Sequence, residues 1–373
     1  MRKPHKQPFV IGMAKNMPKY LELVNWIQEQ IDTKKLLPGQ KLYSENELSE
    51  MFGLSRQTVR HAISVLERDD MLRRVQGSGT YINQNPAENL AGRNRIAVIM
   101  TYVCGHIFPR MIYAIENMLS QKGYSVQIAF TNNLFERERE ILEDILERDE
   151  VAGIIMEATK SALPNPNFHF IREITKKKIP ILFINSFYPE LSLPHVSMDD
   201  KKAGKIATQY LIGKGHRKIA GIFKLDDGQG RLRYTGFMEA LNEAGLVFDE
   251  SKIIWVDTED ISDLSRIVDK LKKRTEGCTG LVTYNDEVAL GLLKVLKEEK
   301  IRVPEDLSIA SIDDSELAVL GDVKLTSVPH PMEKLGEKAV CNLVEMIRNP
   351  RFDGNYEFDV HVVERDSVKE LKS

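Results

Sequence analysis

Between residues 56 and 66 the apolar positions Val59, Ala62, Ile63 and Leu66 recur at helical spacing, and Arg56, Gln57 and Arg60 fall on the opposite side. Ser55 stands before them as a good N-cap and Gly53 supplies the backbone freedom of a turn, so a helix is predicted to begin at Ser55. Upstream, Tyr20 to Thr33 carries Leu23, Val24, Ile27 and Ile31 at the same spacing, and the Pro-Gly of "LLPGQKL" closes that helix. In "SENE", Ser44 precedes Glu47 by three residues, the pattern of a capping box, and "LSEMF" continues a short amphipathic helix up to Gly53. After the third helix, "MLRRVQGSGTYI" pairs a run with Leu72 and Val75 to a run with Tyr81 and Ile82 around a Gly77–Gly79 turn. Helix, turn, helix and hairpin in that order predict a winged helix-turn-helix of α+β class over residues 17–82.

Residues 83–93, "NQNPAENLAGR", are polar and aperiodic and read as a linker. Beyond it the pattern changes. The buried-strand runs "RIAVIM", "SVQIAF", "VAGIIM" and "IPILFIN" are separated by helical stretches such as Phe108 to Lys122 and Arg137 to Arg148. A second series, "KIAGIF", "KIIWV", "GLVTYN" and "LSIASID", alternates in the same way. Strands alternating with helices predict parallel sheets, and two successive units predict a two-lobed α/β domain over residues 94–373 with a cleft between its lobes.

Composition changes this picture little. A chain of 373 residues implies more than one domain, and 42% hydrophobic with 29% charged residues is ordinary for a soluble globular protein. Cys104, Cys278 and Cys341 are odd in number and scattered, which fits a reducing compartment, and no CxxC or His/Cys cluster suggests a metal. The apolar runs fall short of a membrane span, and residues 1–16 are basic at their start but lack a long apolar core. The expectation is a cytoplasmic protein without membrane contact, whose residues 1–16 form a disordered arm or an extension.

Charge does not by itself announce a nucleic-acid binder. The net charge is −3, and between Met17 and Ile82 nine Lys and Arg are matched by nine Asp and Glu. Placement carries the case: Arg56, Arg60, Arg73 and Arg74 sit in the pieces that can face DNA, whereas the acids lie mainly at two helix starts and in "ERDD". Arginine and glutamine are side chains that bond bidentately to base edges, so the Arg56–Gln57–Arg60 face reads as a recognition surface.

In open α/β sheets ligands bind beyond the carboxyl ends of the strands. The polar residues there are Tyr102, Glu157, Asn185, Lys224, Asp227, Arg231, Asn285, Asp286, Asp313 and His330, which supply the donors, acceptors and aromatic face that a sugar needs. An enzyme is not expected. "DDGQGRLR" lacks the GxGxxG spacing, no GxxxxGK[ST] loop exists, and no Ser or Cys sits in a nucleophile elbow.

The combination of "LPGQKL", "SENEL", "SRQTVR" and "GSGTYI" over Pro18 to Ile82 resembles the DNA-binding domain of GntR-family bacterial regulators. The resemblance implies DNA contacts from Arg56, Gln57, Thr58 and Arg60, with Ser55 at the head of that helix. Gln76, Gly77 and Gly79 would add contacts from the wing, and Lys19 and Glu45 are further candidates. From Arg95 onward, "SMDDKKAGKIATQYLIGKGHRKIAGIF", "RYTGFMEALNEAGL", "TYNDEVALGLLKVLKEEKIRVPEDLSIASIDDS" and "LTSVPHPMEKLG" resemble the effector domain of the LacI/GalR repressors, a periplasmic-binding-protein-like fold. There the resemblance assigns Arg231 to the sugar-binding arginine, and Asn285, Asp313 and, more loosely, His330 to sugar contacts. The joining of these two domains looks like the AraR-type arabinose repressors. It implies a homodimer on palindromic operator DNA, released by L-arabinose or a related sugar, with no cofactor. The usual LacI-type hinge helix is missing, and residues 83–93 stand in its place. The alternatives are a repressor of the same architecture that answers another sugar, and a cytoplasmic sugar-binding protein with no DNA role.

Overall fold

The structure, a computed structural model, describes residues 18–33, 35–37, 39–68, 71–83, 93–103 and 105–372. The expected arm at 1–16 lies outside the described residues, as does the linker from 84 to 92. The chain divides between Ala91 and Gly92 into two compact units.

In the first unit, α1 (Lys19–Asp32), α2 (Glu45–Phe52) and α3 (Arg56–Arg68) precede an antiparallel hairpin of β1 (Leu72–Val75) and β2 (Gly79–Ile82). Leu23 and Ile27 of α1, Leu48 of α2, Val59, Ile63 and Leu66 of α3, and Leu72 and Ile82 of the hairpin form one core. Burying some 13 apolar side chains at about 1.5–3 kcal/mol each is what holds so small a unit together. The capping box forms as expected: Glu47 N donates to Ser44 Oγ and Ser44 N to Glu47 Oε2. Gly53, at φ +61°, ends α2 in the left-handed region, and Ser55 Oγ accepts from Thr58 N at the start of α3. Gly79 has a local cause. At φ +128°, a Cβ there would stand 2.6 Å from Lys41 Cε.

The second unit has two lobes. Lobe one contains β3 (Arg95–Met100), α4 (Phe108–Gln121), β4 (Ser125–Phe130), α5 (Phe135–Arg148), β5 (Val151–Met156), α6 (Phe168–Lys176), β6 (Ile181–Ile184) and β7 (His195–Met198). The chain then crosses to lobe two: α7 (Asp200–Gly213), β8 (Ile219–Lys224), α8 (Gly228–Glu243), β9 (Ile253–Val256), α9 (Thr258–Ser262), α10 (Val268–Thr275), β10 (Gly280–Val282), α11 (Asp286–Glu298), β11 (Ser308–Asp313) and β12 (Thr326–Pro329). It returns to lobe one with α12 (Met332–Arg348) and β13 (Tyr356–Phe358), and its tail runs back to lobe two, where Val363 pairs with Ser327. The strand orders are β13-β7-β6-β5-β3-β4 and β12-β11-β10-β8-β9, all parallel.

Two expectations change. The lobes are not simply successive, because α12 packs on α4 and the lobe-one sheet and β13 extends that sheet. "SVQIAF" is a strand but not a buried one: β4 lies at the sheet edge, with Ser125 and Ile128 exposed. An edge strand has a neighbour on one side only, so its apolar run meets less cover.

Candidate functional site

Two surfaces carry candidate chemistry, one in each unit. In the first, α3 buries Val59, Ala62, Ile63 and Leu66 and turns Arg56, Gln57 and Arg60 to solvent. Thr58 is half-buried and its hydroxyl is 2.8 Å from Ser55 Oγ, so both serve the helix start. No acid occupies the first turn of α3. A helix N-terminus carries partial positive charge, and with Arg56 beside it this end is prepared for an anion. Arg60 Nε lies 2.7 Å from Glu45 Oε2, and Arg74 of the hairpin reaches the same carboxylate at 3.6 Å. Lys19, Gln76 and Gly77 are exposed, and a Cβ at Gly77 would meet nothing. Gly79 is half-buried against Lys41.

The second surface is a cavity of about 320 Å³ between the lobes. Seven of the ten expected residues line it: Tyr102, Glu157, Asn185, Lys224, Asp227, Asn285 and Asp313. Asn185 and Asp313 stand just after or at the end of a strand at φ +66° and +106°, backbone regions that L-residues seldom adopt. That geometry turns the chain sharply where each side chain enters the cleft.

Glu157 forms the lobe-one floor. Its Oε2 accepts from Thr101 N at 2.9 Å and from the Thr101 hydroxyl, and its Oε1 accepts from Asn185 Nδ2 at 2.6 Å. Burial raises its pKa, against the pull of those bonds. Asn185 Oδ1 in turn accepts from Gln229 Nε2 at 3.1 Å. Opposite, burial alone would depress the Lys224 ammonium, but Asp227 and Asp226 outweigh it and raise its pKa. Asp227 also accepts from Tyr284 Oη at 2.9 Å and from Ser161 Oγ at 2.9 Å. Asn285 caps α11 by accepting from Val288 N at 3.0 Å, which leaves its amide nitrogen facing the cavity side.

Three expected residues lie elsewhere. Arg231 is exposed on α8 and donates to the Ala162 carbonyl at 2.9 Å. The arginine of the cavity is Arg233, fully buried, with Nε 2.8 Å from Asp200 Oδ1 and Nη2 3.5 Å from Asp313 Oδ1. At 100° per residue the two arginines are about 200° apart around the helix, so only one can face the cleft. The contact that fixes Arg233 is close packing of α7 on α8. A Cβ at Gly204 would stand 2.0 Å from Arg233 O, and one at Gly236 1.9 Å from Lys201 O. Asp286 sits behind the cavity, bonded to Ser315 N at 2.8 Å and Ser327 Oγ at 2.7 Å. His330 also lies behind the wall, with Nε2 2.9 Å from Asn185 Oδ1, and burial lowers its pKa to about 4, so the ring is neutral.

Sequence reasoning missed Thr101, His106, Asn133, Gln229, Arg233, Thr258 and Tyr284 of the wall. Several of these cross the cleft: Asn133 Nδ2 donates to Thr258 Oγ1 at 3.1 Å, and His106 Nε2 is 2.6 Å from Asp313 Oδ2. Only Arg233 had a signal in the string, since it lies four residues before the apolar Phe237 on the buried face of α8. Among the described residues no cluster of three metal-ligating side chains occurs, and no helix is long and apolar enough to cross a membrane.

Comparison with known proteins finds a family match in each unit. Residues 19–82 match the family described as bacterial regulatory proteins, gntR family, and residues 208–368 match the periplasmic binding protein-like domain. The arabinose metabolism transcriptional repressor of Halalkalibacterium halodurans is 39% identical over 94% of this chain and 97% of its own length. That of Geobacillus stearothermophilus is 36% identical over 96% and 99%. The crystal structure of the transcription regulator CcpA of Lactococcus lactis, 26% identical, superposes with a TM-score of 0.67 over 74% of this chain and 99% of its own.

Proposed function

Because this chain belongs to the family of arabinose metabolism transcriptional repressors, two members of which match it across both units, we propose that it is a cytoplasmic repressor that holds operator DNA and releases it when L-arabinose enters the cleft. The class is not enzymatic. The observation that carries the reading is the pairing, in one chain, of an exposed Arg56–Gln57–Arg60 helix face with an interlobe cavity lined by paired charges.

Operator reading falls to α3 in a major groove, with Arg56, Gln57 and Arg60 at base edges and the wing tip at Gln76 and Gly77 along the minor groove. Lys19 and the start of α3 add phosphate contacts, which position the unit without reading sequence. Two copies of the chain read the two halves of a palindromic double-stranded operator, since a two-fold protein matches a two-fold site.

The charges of the cavity favour a neutral sugar. Lys224 is engaged by Asp226 and Asp227, and Arg233 by Asp200 and Asp313, so neither is a free cation for a phosphate or a sugar acid. What remains are donors and acceptors for hydroxyl groups, with Tyr102 and Phe108 as an apolar wall for C–H groups. Contacts that a sugar makes to both lobes at once favour the bridged form of the cleft. By linkage, DNA weakens sugar binding by the factor by which sugar weakens DNA binding. Calorimetric titration of the full-length protein with L-arabinose, D-xylose and D-ribose tests the pocket. Binding confined to L-arabinose supports the assignment, and preference for another sugar rejects it.

A further inference from the structure

His106 lies between β3 and α4 in lobe one, yet its side chain is only 5% exposed and its partners belong to lobe two. Nε2 is 2.6 Å from Asp313 Oδ2 and Nδ1 is 3.9 Å from Glu287 Oε2, while Asn285 Nδ2, itself a donor, is a neighbour 3.5 Å from Nε2. A neutral imidazole has one N–H and would leave the lone pair of the other nitrogen facing a carboxylate, whereas the imidazolium has an N–H for each. The same ring lines the sugar cavity. Building on the sugar reading above, we propose that His106 is a positioning residue which, as an imidazolium, ties lobe one to Asp313 of lobe two when sugar fills the cleft, so that sugar binding takes up a proton.

The charged groups around the ring come from every neighbouring element. Asp313 ends β11, Asp286 and Glu287 begin α11, Arg233 approaches Asp313 from α8, and His330 follows β12. Burial would lower the His106 pKa, but the bond to Asp313 and the charges of Asp313, Glu287 and Asp286 prevail and raise it. When the lobes part, the ring returns to water and its ordinary value of about 6.5. The bridged form therefore holds the proton more tightly. Its advantage is complete below about pH 6.5 and is lost as pH rises through the bridged-form value, at no more than about tenfold per pH unit. Asp200 and Asp286, both pushed up to about 6, titrate below that window. Their bonds, to Arg233 and to Ser315 and Ser327, lie within lobe two and survive parting.

Calorimetry of the full-length protein with L-arabinose, near pH 7.5 in buffers of different ionisation enthalpy, reads proton uptake directly. Wild type should take up a fraction of a proton, and its affinity should fall several-fold toward about pH 8.5. His106→Gln should remove both the uptake and the pH dependence while leaving the circular dichroism spectrum unchanged. Glu287→Gln, at a half-exposed side chain, should move the fall to lower pH, and it decides the matter if His106→Gln does not fold. Wild-type binding without uptake, uptake that persists in His106→Gln, or a profile unmoved in Glu287→Gln overturns the proposal and leaves the sugar reading intact. Absence of any heat with L-arabinose overturns both.

Discussion

Arg60 Nε and Glu45 Oε2 stand 2.7 Å apart and join the exposed face of α3 to the start of α2, while Arg74 of the wing reaches the same carboxylate. One acid thus orients two arginines on the face assigned to DNA. Glu45→Gln removes a negative charge near phosphates and frees Arg60, while Arg74 keeps Glu67, 3.3 Å away, as its partner. Affinity for a scrambled duplex should rise, while the ratio of operator to scrambled binding should fall. Fluorescence anisotropy on both duplexes at fixed salt measures this, and an unchanged ratio would reduce Glu45 to a source of repulsion.

Arg60→Ala should weaken operator binding by about tenfold to hundredfold, the worth of one bidentate base contact of about 1–3 kcal/mol. Sugar affinity, measured by calorimetry, should not change, because Arg60 lies in the first unit. Operator binding at wild-type strength would remove α3 from the reading surface.

The two arginines of α8 give opposite expectations. Arg233→Ala leaves Asp200 buried without its cation and Asp313 with His106 alone, and breaking such a buried pair costs about 3–5 kcal/mol in comparable cases. It should lower the thermal midpoint and abolish the response to sugar. Arg231→Ala loses one part-buried hydrogen bond to Ala162 O and should keep sugar affinity within a few-fold. Calorimetry on both variants separates them, and the reverse result would restore Arg231 as the sugar arginine.

That pair also shows what could be read from the string and what could not. The winged helix was legible because each piece is local: the capping box at Ser44 and Glu47, the apolar stripe of α3, the glycine turn of the hairpin. The sheets were legible from strand runs at regular spacing. The identity of the cleft arginine was decided by helix phase, and "RLR" offers two candidates until Phe237 fixes which face is buried. His106 had no local signal at all, because its partners are about 180 or more residues away, beyond a lobe crossing. The return of α12 and β13 to lobe one was hidden for the same reason.

Gly236→Ala places a methyl 1.9 Å from Lys201 O, a backbone atom that cannot swing aside. Overpacking of this kind costs about 1–3 kcal/mol, and here it also pushes Arg233 away from Asp200. The thermal midpoint should fall, and sugar affinity should fall with it. Exposed Gly213, at the end of α7 with nothing within reach of a Cβ, is the control for glycine substitution as such. Equal sugar affinity in Gly236→Ala would show that the helix contact does not position the pocket.

His330 is held neutral with its pKa lowered to about 4, chiefly by burial, with Arg233 and His106 adding to it. The unfolded chain binds the proton near pH 6.5. Its contribution is therefore full above about pH 6.5 and is lost as pH falls toward 4, by roughly 3 kcal/mol in all. His330→Asn should flatten that part of the stability profile in urea titrations at a series of pH values. A wild-type and variant difference that does not change with pH would contradict a neutral buried ring.

The most direct test of the account is fluorescence anisotropy of the full-length protein with a labelled duplex from upstream of its own gene, titrated with L-arabinose and other pentoses at fixed salt. The account predicts tight binding without sugar and release by L-arabinose alone. Tight binding that L-arabinose leaves untouched, or release by another pentose in its place, would contradict it.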